Sequence, residues 1–190
     1  MGVSTDGGQT WQAVADYGNC RAMSFLDAQS GWIATADRLS RTQDGGKTWE
    51  DVPLPEDVSE IAAISLRTEE EGYLLDDAGV LHVTRNGGET WTAHPVGFDL
   101  QAKTIPSRPT ASAALRFTDA DHGVIAVHLT GGLQGGVVVA RTADGGQTWE
   151  QTTVFETELP LITLYLSRDG STLTITDELD ASITVLQYAE

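Results

Sequence analysis

Cysteine is nearly missing from this sequence: Cys20 stands alone, so no intrachain disulfide can form and a cysteine-rich metal site is excluded. Also missing is any run approaching the ~18 consecutive apolar residues that a spanning helix requires. The opening Met1-Gly2-Val3-Ser4-Thr5-Asp6-Gly7-Gly8 lacks an apolar signal-peptide core, so this stretch reads as soluble and untargeted. Basic residues are scarce. Eleven Lys and Arg face 28 Asp and Glu, a formal charge of −17, which disfavours nucleic-acid phosphates and anionic membrane surfaces and favours basic or neutral partners. The acids are scattered, the longest run being Glu69-Glu70-Glu71, and read as a solvated surface. His82, His94, His122 and His128 lack metal-ligand spacing and read as ordinary strand or loop residues.

What is present is a 190-residue chain of ordinary 40% hydrophobic content, long enough for one substantial core, with an octapeptide that returns four times. The copies occupy 4–11 (Ser-Thr-Asp-Gly-Gly-Gln-Thr-Trp), 42–49, 84–91 and 142–149, the third carrying Asn86 where the others have Asp6, Asp44 and Asp144. Successive copies are 38, 42 and 58 residues apart, a period near 40 that suits a four-stranded propeller blade. Asp or Asn before two glycines supplies a hairpin turn, since these residues tolerate positive φ and the side chain accepts hydrogen bonds from the turn's own amides. The Thr and Trp that follow have high strand propensity, which places them in the outgoing strand with the indole buried against a neighbouring sheet. Four of the five tryptophans, Trp11, Trp49, Trp91 and Trp149, share this position, as do Gly8, Gly46, Gly88 and Gly146 two residues past the Asp or Asn; the role expected of them is structural. Each turn offers a single carboxylate, whereas calcium prefers ~6–8 oxygens, so no metal site is expected at the turns. No cofactor is expected either.

Between the boxes, short strands punctuated by Gly or Asp recur in the order A, B, C, D, with almost no helical periodicity. The expected architecture is an all-β propeller of four-stranded antiparallel blades, at approximately 21–52, 60–93, 113–153 and 160–188, with strand 10–14 from an incomplete blade. The last unit lacks a D strand and the amino end opens inside a blade. Two arrangements answer to this: strand 10–14 closes a small ring by completing the last blade, or the chain is the carboxyl-terminal part of a longer propeller. The duplicated piece of strand C favours the second.

The Ser/Thr-x-Asp-x-Gly-x-Thr-Trp pattern resembles the Asp-box, or bacterial neuraminidase repeat, found in sialidases, xyloglucanases, sortilin-type receptors and photosystem II stability and assembly factors. Met23-Ser24-Phe25-Leu26-Asp27, then Gly31-Trp32-Ile33-Ala34, then Arg41-Thr42-Gln43-Asp44-Gly45-Gly46-Lys47-Thr48-Trp49 looks like a blade of the assembly-factor family, with an echo at Leu115 to Asp119 and Gly123 to Ala126. The resemblance implies a non-enzymatic scaffold that binds another protein, in an extracytoplasmic setting. A glycan-binding or glycoside hydrolase module is the alternative. A sialidase would carry an arginine triad and an Arg-Ile-Pro motif ahead of its boxes; the nearest match, Lys103-Thr104-Ile105-Pro106, lacks the arginine and follows three boxes.

Antiparallel strand order puts the B–C loops and the D-to-A connections on one face, and the A–B loops and box turns on the other. The insertions that enlarge the third unit, residues 95–113 and 130–136, fall on the first face, making Phe98, Lys103, Arg108 and Leu133 candidate partner contacts. Arg21 and Arg116, at or in inner A strands, are candidates for a carboxylate in the central channel, or for pairing with nearby acids such as Glu60.

Overall fold

The computed structural model describes residues 2–4, 6, 8–13, 20–97, 113–129, 136–156, 162–177 and 183–187. A hairpin of β1 (Gly2–Val3) and β2 (Gln12–Ala13) comes first. The first full blade is β3 (Ala22–Phe25), β4 (Gly31–Ala34), β5 (Leu39–Thr42) and β6 (Glu50–Val52). The second is β7 (Ile61–Leu66), β8 (Gly72–Asp76), β9 (Val80–Thr84) and β10 (Thr92–Pro95), and the third is β11 (Ala113–Phe117), β12 (Gly123–Leu129), β13 (Gly136–Thr142) and β14 (Glu150–Glu156). The last sheet holds β15 (Ile162–Leu166), β16 (Thr172–Asp177) and β17 (Ile183–Gln187). Within each sheet consecutive strands pair antiparallel in chain order, as propeller blades do.

One expectation fails in detail. The outgoing D strands begin at Glu50, Thr92 and Glu150, after the Thr-Trp pair instead of with it. Strand propensity loses here to the box side chain, which holds the Thr amide inside the turn (below).

Among the described residues, alternation of side chains places three cores between the sheets. Trp32, Ala34 and Leu39 of the first blade pack with Ile61, Ile64, Leu66 and Leu74 of the second. The other face of the second blade, with Ala63, Tyr73, Leu75, Leu81 and Val83, meets Leu115, Phe117, Ile125, Val127 and Ala140 of the third. Tyr73 and Phe117 stack there with ring centroids 3.6 Å apart. Ala126, Val137 and Val139 then pack on Leu164, Leu173 and Ile175 of the last sheet.

Two local devices organise the inner strands. Phe25 lies over Gly31 and Phe117 over Gly123, each its cross-strand partner, and a Cβ on either glycine would stand 2.4 Å or 2.6 Å from the ring. Inner strands are also tied directly: Ser24 Oγ accepts the Leu66 amide at 2.9 Å, and Ser65 Oγ accepts the Phe117 amide at 3.2 Å. The serine one residue before the end of an inner strand thus satisfies a buried donor of the next blade.

Candidate functional site

The recurrent turn is built from its own side chains. Asp44 Oδ1 accepts the Lys47 and Thr48 amides and the Thr42 hydroxyl, each at 2.9 Å, while Oδ2 accepts the Thr48 hydroxyl at 2.6 Å. Thr42 Oγ1 accepts the Gly46 amide at 2.9 Å, and the Trp49 indole N–H donates to the Gly46 carbonyl at 3.0 Å. Asp144 accepts the Thr148 amide and hydroxyl at 2.9 Å and 2.6 Å, and Asp6 does the same with Thr10. Trp149 and Trp11 donate to Gly146 and Gly8 at 3.0 Å and 3.1 Å. Donors gathered on the ionised carboxylate, the threonine hydroxyl first and its amide second, lower Asp6, Asp44 and Asp144 from 3.8 to about 2. Their oxygens serve the turn, and among the described residues no cluster of three or more His, Cys, Asp or Glu is placed to hold a metal ion.

The tryptophans depart from the expected burial. Trp49 and Trp149 are half-buried and stand edge-on to Phe25 and Phe117 of their own blades, with centroids 6.3 Å and 6.2 Å apart. Trp11 is 67% exposed. Trp91 is half-buried and crosses to the preceding blade, where its indole donates to the Pro53 carbonyl at 2.9 Å and its ring lies 6.0 Å from Trp32. In this third box Asn86 Oδ1 accepts the Thr90 amide, and Asn86 Nδ2 donates to the Thr90 hydroxyl, reversing the polarity of that bond.

The boxes dock on the A–B loops of their own blades. Gly45, Gly87 and Gly145 donate to the carbonyls of Gln29, Glu70 and Asp121 at 2.9, 2.8 and 2.9 Å. Box turns and A–B loops therefore share a face, as strand order requires. The A–B loops are closed by Asp27, Thr68 and Asp119, whose side chains accept amides two and three residues on. In the last sheet Asp169 does this work, accepting the hydroxyls of Ser167 and Ser171 and the Ser171 amide, and its pKa falls to about 2. The stretch Ser167-Arg168-Asp169-Gly170 repeats the opening of a box, a signal that sequence reading passed over.

Among the described residues, arginines pair with acids: Arg21 with Glu60 at 2.8 Å, Arg38 with Asp51 at 3.8 Å, Arg41 with Glu50 at 2.8 Å, and Arg85 at 3.0 Å and Arg67 with Glu71. Arg21 thus meets the acid that the sequence nominated. Arg21 and Arg116 do not come together, because Arg21 precedes β3 and Arg116 sits near the end of β11, at opposite ends of the inner strands. Arg116 Nε donates to the Arg168 carbonyl at 3.0 Å, and Arg168 Nη2 reaches the Leu26 carbonyl at 3.4 Å. These contacts join the A–B ends of the first, third and last sheets. Burial, and secondarily the charge of Arg168, push the Arg116 pKa down. Both guanidiniums are anchored through backbone carbonyls, and the Asp27, Asp119 and Asp169 carboxylates of the adjoining A–B loops accept hydrogen bonds within their own turns. Phe98, Lys103, Arg108 and Leu133 lie outside the described residues.

Comparison with known proteins bears on this arrangement. The pattern of the photosynthesis system II assembly factor YCF48 family matches residues 9–121, and the BNR/Asp-box repeat matches 3–13. The photosystem II assembly lipoprotein Ycf48 of Synechococcus sp. (strain CC9902) is 30% identical over 154 residues, covering 78% of this chain and 41% of that protein. A solved structure of YCF48 bound to D1 peptide superposes with a TM-score of 0.63 at 20% identity, over 90% of this chain and 52% of the other. YCF48 from Cyanidioschyzon merolae gives 0.59 at 19%, over 96% and 62%. A GH74 enzyme of Niastella koreensis also gives 0.59, at 16% identity over 90% of this chain and 30% of that one, a likeness of fold. The chain spans between two fifths and two thirds of the length of these YCF48 relatives. With the pattern matched across more than half of its residues, the chain belongs to the photosystem II assembly factor YCF48 family.

Proposed function

We propose that the chain is a non-catalytic propeller unit that binds another protein, as part of a longer propeller. Membership of the YCF48 family carries this reading, and one structure of that fold is a complex with a peptide. A docking point at the A–B ends of the sheets is part of this proposal. Arg116, bonded to the Arg168 carbonyl, and Arg168, whose side chain reaches the Leu26 carbonyl, both lie at the A–B ends of the sheets, where a partner's carboxylate would meet forked donors. The overall charge of −17 does not forbid this. Exposed carboxylates beyond about 8 Å are largely screened at physiological ionic strength. The sequence insertions carrying Phe98, Lys103, Arg108 and Leu133 are proposed as a second contact region. An extracytoplasmic setting accords with the family.

Affinity capture from the source cells, run beside a glycan array, tests the reading. A protein ligand whose capture drops in the Arg116→Ala/Arg168→Ala variant supports it; specific retention of a glycan with no protein captured overturns it.

A further inference from the structure

The third box differs from the others chemically as well as geometrically. Of the two asparagines in the chain, Asn19 and Asn86, only Asn86 precedes a glycine. An asparagine followed by glycine is the pairing most prone to deamidation, because nothing on the glycine hinders its amide nitrogen from reaching the side-chain carbonyl. That nitrogen attacks Asn86 Cγ, the Cγ–Nδ2 bond breaks, and ammonia leaves with the proton from the Gly87 N–H. Water then opens the resulting succinimide at either carbonyl, giving aspartate or isoaspartate.

Every atom needed for that attack is occupied in the folded box. The Gly87 N–H donates to the Glu70 carbonyl at 2.8 Å, which holds the nucleophile against the A–B loop. Asn86 Oδ1 accepts the Thr90 amide and the Thr84 hydroxyl, both at 2.9 Å. The leaving nitrogen, Asn86 Nδ2, donates to Thr90 Oγ1 at 2.9 Å. Gly87 is buried and held at φ +69°, while the Asn86 side chain stays open to water. Swinging Cγ onto the Gly87 nitrogen breaks three of these bonds together.

We infer that Asn86-Gly87 is a latent deamidation site, sealed by the closed box and released when the hairpin opens, so that the covalent state of residue 86 records opening of the second blade. The two products differ in consequence. Aspartate restores the residue that stands in the other three boxes, and the hairpin can reclose. Isoaspartate adds a methylene to the backbone, so the bonds from Gly87 to Glu70 and from Gly88 to Thr84 at 2.9 Å cannot both reform. The loss is transmitted across the blade interface, since Gly88 packs under Val52 and Trp91 is bonded to Pro53.

Peptide mapping by mass spectrometry at mildly alkaline pH tests this on the whole chain, folded and in concentrated urea. The folded chain should deamidate at Asn86 more slowly by about tenfold or more, corresponding to an opening cost of about 1.4 kcal/mol or above. Thr90→Val, which keeps shape but removes the acceptor for Nδ2, should raise the folded-state rate while leaving the rate in urea unchanged. Equal rates for folded and unfolded wild-type chain would overturn the inference, whatever the variant does. A Thr90→Val chain that folds and deamidates at the wild-type rate would overturn the latch assigned to the hydroxyl.

Discussion

Replacing Gly88 with alanine probes how the boxes clamp one blade to the next. Gly88 has φ +93°, and a Cβ there would stand 2.1 Å from Val52 Cγ1. The left-handed backbone costs a non-glycine residue about 1–2 kcal/mol. Forcing a methyl into a packed site adds about 1–3 kcal/mol, and Val52, β-branched and buried, has little rotamer freedom with which to yield. Gly88→Ala should therefore destabilise by roughly 2–5 kcal/mol, measured as a shift in urea midpoint at constant m-value. Gly146 has φ +91°, but its Cβ would meet Leu81 Cδ2 at 2.4 Å, the tip of a longer side chain, so Gly146→Ala should cost less. Gly8 has φ +90° with only Trp11 at 3.9 Å, and its alanine variant should show the backbone cost of about 1–2 kcal/mol alone. Equal losses in all three, or a Gly88→Ala variant as stable as the parent, would refute the clamp.

The box carboxylates predict the acid limb of stability. Asp6, Asp44 and Asp144 have folded pKa values of about 2, below the ordinary 3.8, so their contribution is complete above that ordinary value and is lost as pH falls through about 2. Thermal melts from pH 6 to pH 2 should show a plateau and then a fall; a midpoint already falling above pH 5 would contradict this. Asn86→Asp should restore the donor polarity of the other boxes, leave neutral-pH stability within about 0.5 kcal/mol, and steepen the acid fall, as urea titration at both pH values would show. Deleting residues 97–112 should leave the fold intact by circular dichroism, because the described cores between the blades are assembled from strands on either side of that segment. Undiminished partner capture by the folded deletion variant would end the proposal for the Phe98, Lys103 and Arg108 contacts.

The blades were legible in the sequence because the octapeptide carries its own turn chemistry: Gly45 and Gly46 supply positive φ, Asp44 supplies acceptors, and the repeat counts the blades. Strand propensity misplaced Thr48 and Trp49, since it cannot weigh a carboxylate four residues back that claims the threonine amide. Burial of the tryptophans was overestimated for a related reason. The indole N–H satisfies a carbonyl of its own turn, so Trp49 and Trp149 stay half-exposed beside a phenylalanine of the same blade. The ties between blades were not legible. Ser24 to Leu66 and Ser65 to Phe117 depend on which inner strands become neighbours, and a serine in a strand gives no sign of this. Arg116 meets Arg168, 52 residues away, through a backbone carbonyl, so no pairing of opposite charges could have pointed to it. Arg21 with Glu60 was legible because that contact does obey charge complementarity.

Under the proposed function, Arg116 and Arg168 at the A–B ends of the sheets meet a carboxylate of a protein partner. The direct measurement is a fluorescence-anisotropy titration of the chain with an acidic peptide and its amidated, charge-neutral counterpart, for the parent and for Arg116→Ala/Arg168→Ala. The account predicts saturable binding of the acidic peptide that weakens at least about tenfold in the double variant and falls with added salt. Equal affinity for both peptides, or binding that survives loss of both arginines, would contradict it.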